Sequence, residues 1–374
     1  MNGKPLDVLF VMPNLSPGGA ERVAVTLLAN TDPARVSARL MLIDDRDAAW
    51  LDEIPPDVNV RSLGCKRLRE GLFPLLRQIR TQAPDVVFSM QWHLNTMLAF
   101  VRPWLPTRTA LVGRETSMPG LTIRNEPGGG LRSLLTRICY PRLDAIIVQG
   151  EAMRADLEAL APRTASGIRI LHNPLQLARI RGNAAGSSPW RRDGRLEFIA
   201  LGRLSPVKGL DRVISAFALA ALPDARLTIL GEGPLESELR TLAAGLGLGK
   251  RVHFQGFVPN PYPHLAAADA MLMASHHEGF PNSALEAMAL GTPVLALPAP
   301  GGIAEALSAS PACRIAAAPT PEALAALMAE FSYGDRARVA PNAVDHHEAG
   351  VIASRLADIL EEACIARRAA IRPA

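Results

Sequence analysis

The chain has 374 residues, too many for one ordinary core and suited to two domains of about 150 to 200 residues each. Hydrophobic residues make up 48% and charged residues 20%, which excludes a disordered chain, and 5% aromatics leaves few rings for the stacking platforms of single-strand nucleic-acid binders. The net charge of +4 hides an uneven spread: thirteen Lys/Arg against four acids lie between Arg61 and Arg142, a basic window that either attracts an anionic surface or is simply solvated.

The segment Asp7–Met12 reads as a first strand, because the apolar run before Pro13 is too short for a signal peptide. The loop Pro13–Gly19 follows, and then Ala20, Val23, Ala24, Leu27 and Leu28 recur at helical spacing. Further strands are expected at Arg39–Ile43, Val58–Leu63, Asp85–Met90, Ala110–Gly113, Ala145–Val148 and Ile168–Leu171. Apolar runs of this kind suit a parallel sheet covered by helices on both faces. Lys66–Arg80 mixes basic and apolar residues. It reads either as an interfacial element on anionic lipid or as an ordinary helix with its apolar face in the core, with Pro74 interrupting it or opening a helix.

The pattern then restarts. Gly182–Pro189 is small and polar and reads as a linker, with the boundary between His172–Pro174 and Arg195. Strands are expected at Leu196–Leu201, Arg226–Leu230, Val252–Phe257, Ala270–Ala274 and Pro293–Leu297, and a last helix at about residues 343–368. Two blocks of alternating strands and helices imply two doubly wound α/β domains with ligands at the carboxyl ends of the strands. The expected domains are residues 1–180 and 190–345, with residues 346–374 packing back on the first. No uninterrupted apolar run reaches about 18 residues, so any membrane contact is expected to be peripheral. Cys65, Cys139, Cys313 and Cys364 form no CxxC pair, which argues against zinc and a disulfide framework and fits a reducing cytoplasm.

Chemistry concentrates in Glu278-Gly-Phe-Pro-Asn-Ser-Ala-Leu-Glu286. Pro281 and Asn282 end a strand-to-helix loop, Asn282 is placed to cap a helix over Ser283–Leu290, and the free amides at that helix start can bind phosphate. Two separated carboxylates can then hold two hydroxyl-bearing groups. In Gly202-Arg-Leu-Ser-Pro-Val-Lys-Gly209, Arg203 and Lys208 follow a buried strand, where a guanidinium fork and an ammonium can grip a diphosphate; the alternative is a surface ion pair with Asp211 or Asp224. His276 and His277 beside Glu278 suggest a metal, but neighbours on a strand point opposite ways and no third ligand offers itself. A dehydrogenase is set aside, since Pro-Gly-Gly stands where GxGxxG would follow the first strand.

The stretch Glu278–Val294 closely resembles the signature of the retaining GT-B glycosyltransferases, the group 1, family 4-like enzymes of bacterial polysaccharide and glycolipid synthesis. Gly18-Gly-Ala-Glu21, Gly202–Gly209, Gly231-Glu-Gly-Pro234, Phe254–Val258, and Pro300-Gly-Gly302 with Glu305 fall in that family's order across nearly the whole chain. The resemblance implies a GT-B fold, two Rossmann-like domains facing across a cleft, the first for acceptor and the second for donor. It implies no metal or other cofactor. The substrates would be a nucleotide-diphosphate sugar, UDP-linked with GDP-mannose as the alternative, and a glycan or lipid-linked glycan acceptor, with peripheral contact to an anionic membrane and no nucleic acid.

By the same resemblance Arg203 and Lys208 hold the pyrophosphate, Glu278 lies on the donor sugar, and Gly279, Phe280, Pro281 and Asn282 hold sugar hydroxyls. Ser283 and Ala284 amides hold phosphate, Glu286 the ribose, and the turn Gly256, Phe257, Val258 the base. Gly18 and Gly19 line the cleft. From its own place after a strand, His93 can reach the acceptor side of the cleft; the alternative is a satisfied or surface histidine. Relatives carry His or Arg where Gly113–Ser117 has Thr116. Competing expectations are a hydrolase using Glu278 and Glu286 as acid and base, a sugar-nucleotide epimerase, and a basic membrane-bound scaffold.

Overall fold

A computed structural model describes residues 4–46, 48–125, 128–186, 190, 194–333 and 337–371. It divides into two units, Met1–Pro174 with His347–Ala374, and Leu175–His346.

In the first unit the elements run β1 (Leu6–Met12), α1 (Gly19–Ala29), β2 (Val36–Leu42), β3 (Asn59–Ser62), α2 (Leu68–Gln82), β4 (Val86–Met90) and α3 (Trp92–Phe100). They continue with β5 (Ala110–Arg114), α4 (Pro119–Asn125), α5 (Gly129–Cys139), β6 (Ala145–Val148), α6 (Glu151–Leu160) and β7 (Ile168–Ile170). All pairings are parallel, in the order β3-β2-β1-β4-β5-β6-β7. Alternate residues of each strand feed opposite faces. Phe10, Leu40, Phe88 and Ile147 pack with Val23 and Leu27 of α1, while Leu9, Met41, Val87 and Ile146 pack with helices α2, α3 and α6.

The second unit holds α7 (Leu177–Asn183), β8 (Leu196–Leu201), α8 (Leu210–Leu219), β9 (Ala225–Leu230), α9 (Glu236–Gly245), β10 (Val252–Gly256) and α10 (Tyr262–Ala267). Then come β11 (Ala270–Met273), α11 (Asn282–Ala289), β12 (Val294–Ala296), α12 (Ile303–Leu307), β13 (Arg314–Ile315) and α13 (Pro321–Tyr333). Its parallel order, β10-β9-β8-β11-β12-β13, repeats that of the first sheet. Phe198, Leu227 and Leu272 face α8 and α13, and Ile199, Met271 and Val294 face α7, α10 and α11. The last helix, α14 (Ala349–Ala370), returns to the first unit, where Ile352, Leu356 and Leu360 join the face formed by α1.

In both sheets the strand order reverses at one point, between β1 and β4 and between β8 and β11. Neighbouring crossovers depart there to opposite faces and leave a crevice at the strand ends, the place where such sheets bind ligands.

Four sequence expectations need correction. Leu175, Leu177 and Ile180 are buried in the second unit's core, so residues 175–180 belong there and not to a first domain ending at 180. Helix α2 runs unbroken through Pro74, because Leu75 and Ile79 anchor it to the core while Pro74 is exposed, on the side where the bond it removes is tolerated. The last helix starts at Ala349 rather than near 343. Asn282 is the first residue of α11 and does not cap it: the Pro281 carbonyl accepts from Ala284 and Leu285 (3.1 and 3.2 Å), which makes Pro281 the cap. Of the expected linker, residues 187–189 lie outside the described residues. Among the described residues, no helix is long and apolar enough to cross a membrane.

Candidate functional site

At the switch point of the second unit, the loops after β8 and β11 meet. Lys208, in the turn of 3-10 helix Pro206–Lys208, donates from Nζ to Glu278 Oε1 at 2.6 Å. Ser275 Oγ donates to the same oxygen at 2.7 Å. Gly209 ends the turn in the left-handed region, with φ +57°, and a Cβ there would strike the Ala274 carbonyl, so the loop closes against β11 only with glycine. The His276 N–H is held by the Val207 carbonyl at 2.7 Å. Glu278 is thus fixed from both sides of the reversal.

A third loop completes the frame. Glu278 pairs with Gly301 as an isolated parallel bridge: the Glu278 N–H donates to Pro300 O at 3.1 Å and the Gly302 N–H to Glu278 O at 3.3 Å. Gly301 has φ +111°, and a Cβ there would land on the Glu278 carbonyl oxygen. This is the physical reason the Pro300-Gly-Gly302 segment carries glycines.

Arg203 lies exposed on the loop after β8, and its guanidinium makes no ion pair with Asp211, Asp224 or any other carboxylate among the described residues. Among the described residues, Lys208 therefore has a carboxylate partner and Arg203 does not. Gly279 is half-buried, and Phe280 and Pro281 are buried, Phe280 within the α11 core. Asn282 and Ser283 are half-buried at the start of α11, whereas Ala284 is buried and spends its N–H on the Pro281 carbonyl. Of the two amides expected to hold phosphate, the Ser283 amide remains. Glu286 is buried in the second turn of α11.

At the outer edge, Gly256 ends β10 with φ +71°, Phe257 is exposed and Val258 half-buried. Glu232 accepts the Phe257 N–H at 3.2 Å, tying the loop after β9 to this turn.

The first unit builds a second site around its own reversal. Gly18 caps α1 in extended conformation and Gly19 opens the helix, so both lie at the end of the β1 loop. Glu21, buried in the first turn of α1, accepts from Gln91 Nε2 at 2.8 Å. Gln91 caps α3 with φ +79°, a conformation costly for a residue with a side chain and concentrated at functional positions.

Beside it lies a pocket with about 230 Å³ of accessible volume, lined by residues including Gln91, His93, Glu115, Thr116 and Arg132. His93 sits edge-on to Trp92 at 5.2 Å, and partial burial, followed by the Arg132 guanidinium, holds its imidazole below the usual value, which favours the neutral form. Glu115 is buried in the pocket wall, where Tyr140 OH and Asn95 Nδ2 (2.7 Å) both donate to Oε1. Burial pushes its carboxyl up to about 7 against those two bonds.

The structure therefore brings Lys208 and Glu278 into contact, and places Arg203 on the Lys208 loop and Ser283 and Glu286 on the helix that follows Glu278. It brings His93 and Thr116 into one pocket. Sequence reasoning missed Ser275, Glu232, Gln91 and Glu115. Ser275 had a readable signal, a hydroxyl in the loop between a buried strand and the motif glutamate. The other three meet their partners only through the tertiary fold.

Known proteins are similar to this chain over the same elements. Residues 188–344 match the model for glycosyl transferases group 1. An N-acetylgalactosaminyltransferase of Campylobacter jejuni, acting on N-acetylgalactosamine-N,N'-diacetylbacillosaminyl-diphospho-undecaprenol, is 27% identical over 75% of this chain and 78% of its own length. The lipopolysaccharide core glycosyltransferase LpsD of Rhizobium meliloti is 25% identical over 76% of each chain. Among solved structures, Anabaena HepE in complex with UDP and glucose superposes with a TM-score of 0.78 at 21% identity, covering 96% of this chain and 100% of its own.

Proposed function

We propose, from the premise that this chain belongs to the group 1 glycosyl transferases and has the GT-B fold, that it transfers a hexose or N-acetylhexosamine from a UDP-linked sugar to a lipid-linked glycan, with retention of anomeric configuration. The observation that carries the reading is the meeting of Lys208 and Glu278 at the second unit's switch point, with exposed Arg203 on the same loop. The relative that acts on a diphospho-undecaprenol glycan supports the acceptor class, and the structure holding UDP and glucose supports the donor class.

In this reading the second unit binds the donor. Arg203, Lys208 and the Ser283 amide hold the diphosphate, Glu286 the ribose hydroxyls, and the Gly256–Val258 turn the base. Phe280, Pro281 and Asn282 hold sugar hydroxyls, and Glu278 orients the sugar while favouring positive charge at the anomeric carbon. The acceptor oxygen bonds to that carbon as its bond to the phosphate oxygen breaks. The acceptor proton passes to the departing phosphate oxygen, and the cations stabilise the charge that develops there. The pocket of His93, Thr116 and Glu115 takes the acceptor glycan, where neutral His93 can accept a hydroxyl hydrogen bond. A lipid-linked acceptor places the enzyme at the inner face of the cytoplasmic membrane.

A thermal-shift screen of nucleotide sugars, followed by titration of the preferred one into Glu286→Ala, tests the donor arrangement. Loss of a hydrogen-bonding carboxylate lowers donor affinity about tenfold or more. Unchanged affinity would sink the ribose assignment.

A further inference from the structure

Helix α5 wears part of its apolar surface on the outside. Thr136 and Cys139 face the core, while Leu131, Leu134 and Ile138 are 64%, 53% and 50% exposed. Their spacing of three and four residues puts them on one stripe. At 100° per residue Arg137 borders that stripe, while Arg132 turns to the side of Thr136 and Cys139. Helix α5 contains no Asp or Glu, and the next turn adds Arg142. Among the described residues Arg137 and Arg142 have no carboxylate partner; Arg137 Nε is tied to the Leu160 carbonyl at 2.9 Å, which fixes the guanidinium alongside the crest.

We infer that α5 is the surface by which this protein docks on an anionic lipid bilayer, with Leu131, Leu134 and Ile138 entering the acyl boundary and Arg137 and Arg142 on headgroup phosphates. Charge decides for lipid over a protein groove: a bare apolar stripe fits either, but arginines beside it at Arg137 and, in the next turn, Arg142, with no acid on the helix, complement a uniformly negative plane. The location also has a consequence for the acceptor. Arg132 belongs to the wall of the pocket holding His93, Thr116 and Glu115, and it stacks over Trp92 at 5.4 Å. A docked α5 therefore sets the mouth of that pocket at headgroup level, where a glycan on a membrane-embedded diphosphate lipid would stand. This last step rests on the proposed function; the lipid contact itself does not.

Flotation of the full chain with vesicles of phosphatidylglycerol and phosphatidylcholine, against vesicles of phosphatidylcholine alone, tests the docking. Binding is expected on the anionic vesicles only and is expected to fall with salt. The triple variant Leu131→Ser, Leu134→Ser, Ile138→Ser should lose at least tenfold in vesicle affinity, and Arg137→Gln about fivefold. Both should keep the wild-type circular dichroism and UDP affinity, since none of these side chains supports the core. Transfer to a vesicle-embedded acceptor should fall with the triple variant, while transfer to a water-soluble short-chain acceptor should not. Vesicle binding unchanged by both variants, or abolished by Phe73→Ser on α2 but not by changes in α5, would overturn the inference while leaving the transferase reading intact. Vesicle binding lost in the α5 variants of a protein with no transferase activity would uphold docking and sink the proposed function.

Discussion

Lys208 already has a partner in Glu278, and this makes an unusual prediction about Glu278→Gln. Glu278 Oε1 receives Lys208 at 2.6 Å and Ser275 at 2.7 Å, and the Lys208 and Glu278 side chains are 28% and 13% exposed. A hydrogen bond to a charged group is worth about 1.5 to 3 kcal/mol when buried, and exposed ion pairs about 0.2 to 1 kcal/mol. At this intermediate exposure the pair contributes about 1 kcal/mol. If Lys208 holds the diphosphate, part of that contribution is forfeited whenever a nucleotide competes for the ammonium. The Gln variant keeps an acceptor for Ser275, removes the negative charge and frees Lys208. UDP, which lacks the sugar assigned to Glu278 in the proposed reading, should then bind about fivefold more tightly, since 1.4 kcal/mol is a factor of ten. Transfer should nevertheless drop by about a hundredfold or more if Glu278 supplies the charge near the anomeric carbon, as proposed. Lys208→Met should weaken UDP, and the double variant should bind like Lys208→Met. Calorimetric titration of UDP into the four proteins reads this directly. If UDP binds Glu278→Gln no more tightly than wild type and Lys208→Met no more weakly, Lys208 is not a diphosphate ligand.

Two further outcomes follow from Gly301 and from Glu115. Gly301→Ala forces a side chain into φ +111° against the Glu278 carbonyl, so the loop must shift and Glu278 with it. A displacement of about 1 Å should lower kcat about a hundredfold with the protein still folded, and wild-type kcat would show the bridge to be incidental. For Glu115, the folded carboxyl titrates near 7, raised by burial from an ordinary 4.5. Below pH 4.5 both folded and unfolded chains hold the proton. Between about 4.5 and 7 the unfolded chain releases it first, so stability falls as pH rises and the loss is complete above 7. Glu115→Gln keeps an acceptor for Tyr140 and Asn95 and should remove that slope. The thermal midpoint should drop less between pH 5 and pH 8 in the variant than in wild type; equal drops in the two proteins would contradict it.

Much of the fold was legible because a parallel sheet buries its strands on both faces. Runs such as Val86–Met90 and Leu196–Leu201 are then continuous, and Gly or polar loops mark where they end. The strand that escaped notice, Arg314–Ile315, is two residues long and half-exposed, so it carries no such run. Pro74 misled because proline's cost depends on which side of a helix it occupies, and spacing alone could not say. In the motif, the contact of Lys208 with Glu278 was prefigured only as two separate roles. That they share one hydrogen bond comes from the switch-point topology, which sets the ends of β8 and β11 side by side. Gln91 and Glu115 were opaque because nothing local distinguishes them: Gln91 stands out by its backbone, and Glu115 by burial among Asn95, Tyr140 and the strand below it. The apolar crest of α5 was likewise invisible, since a stripe of leucines in sequence ordinarily means core.

The account is tested most directly by following a labelled UDP-sugar with α configuration in the presence of polyprenyl-diphosphate-linked glycans embedded in anionic vesicles. It predicts that label moves to the lipid-linked glycan in step with UDP release, that the anomeric proton of the product reports an α linkage, and that release stops when acceptor is omitted. Label recovered as free sugar or as an epimerised donor without any acceptor, or a β-linked product, would contradict it.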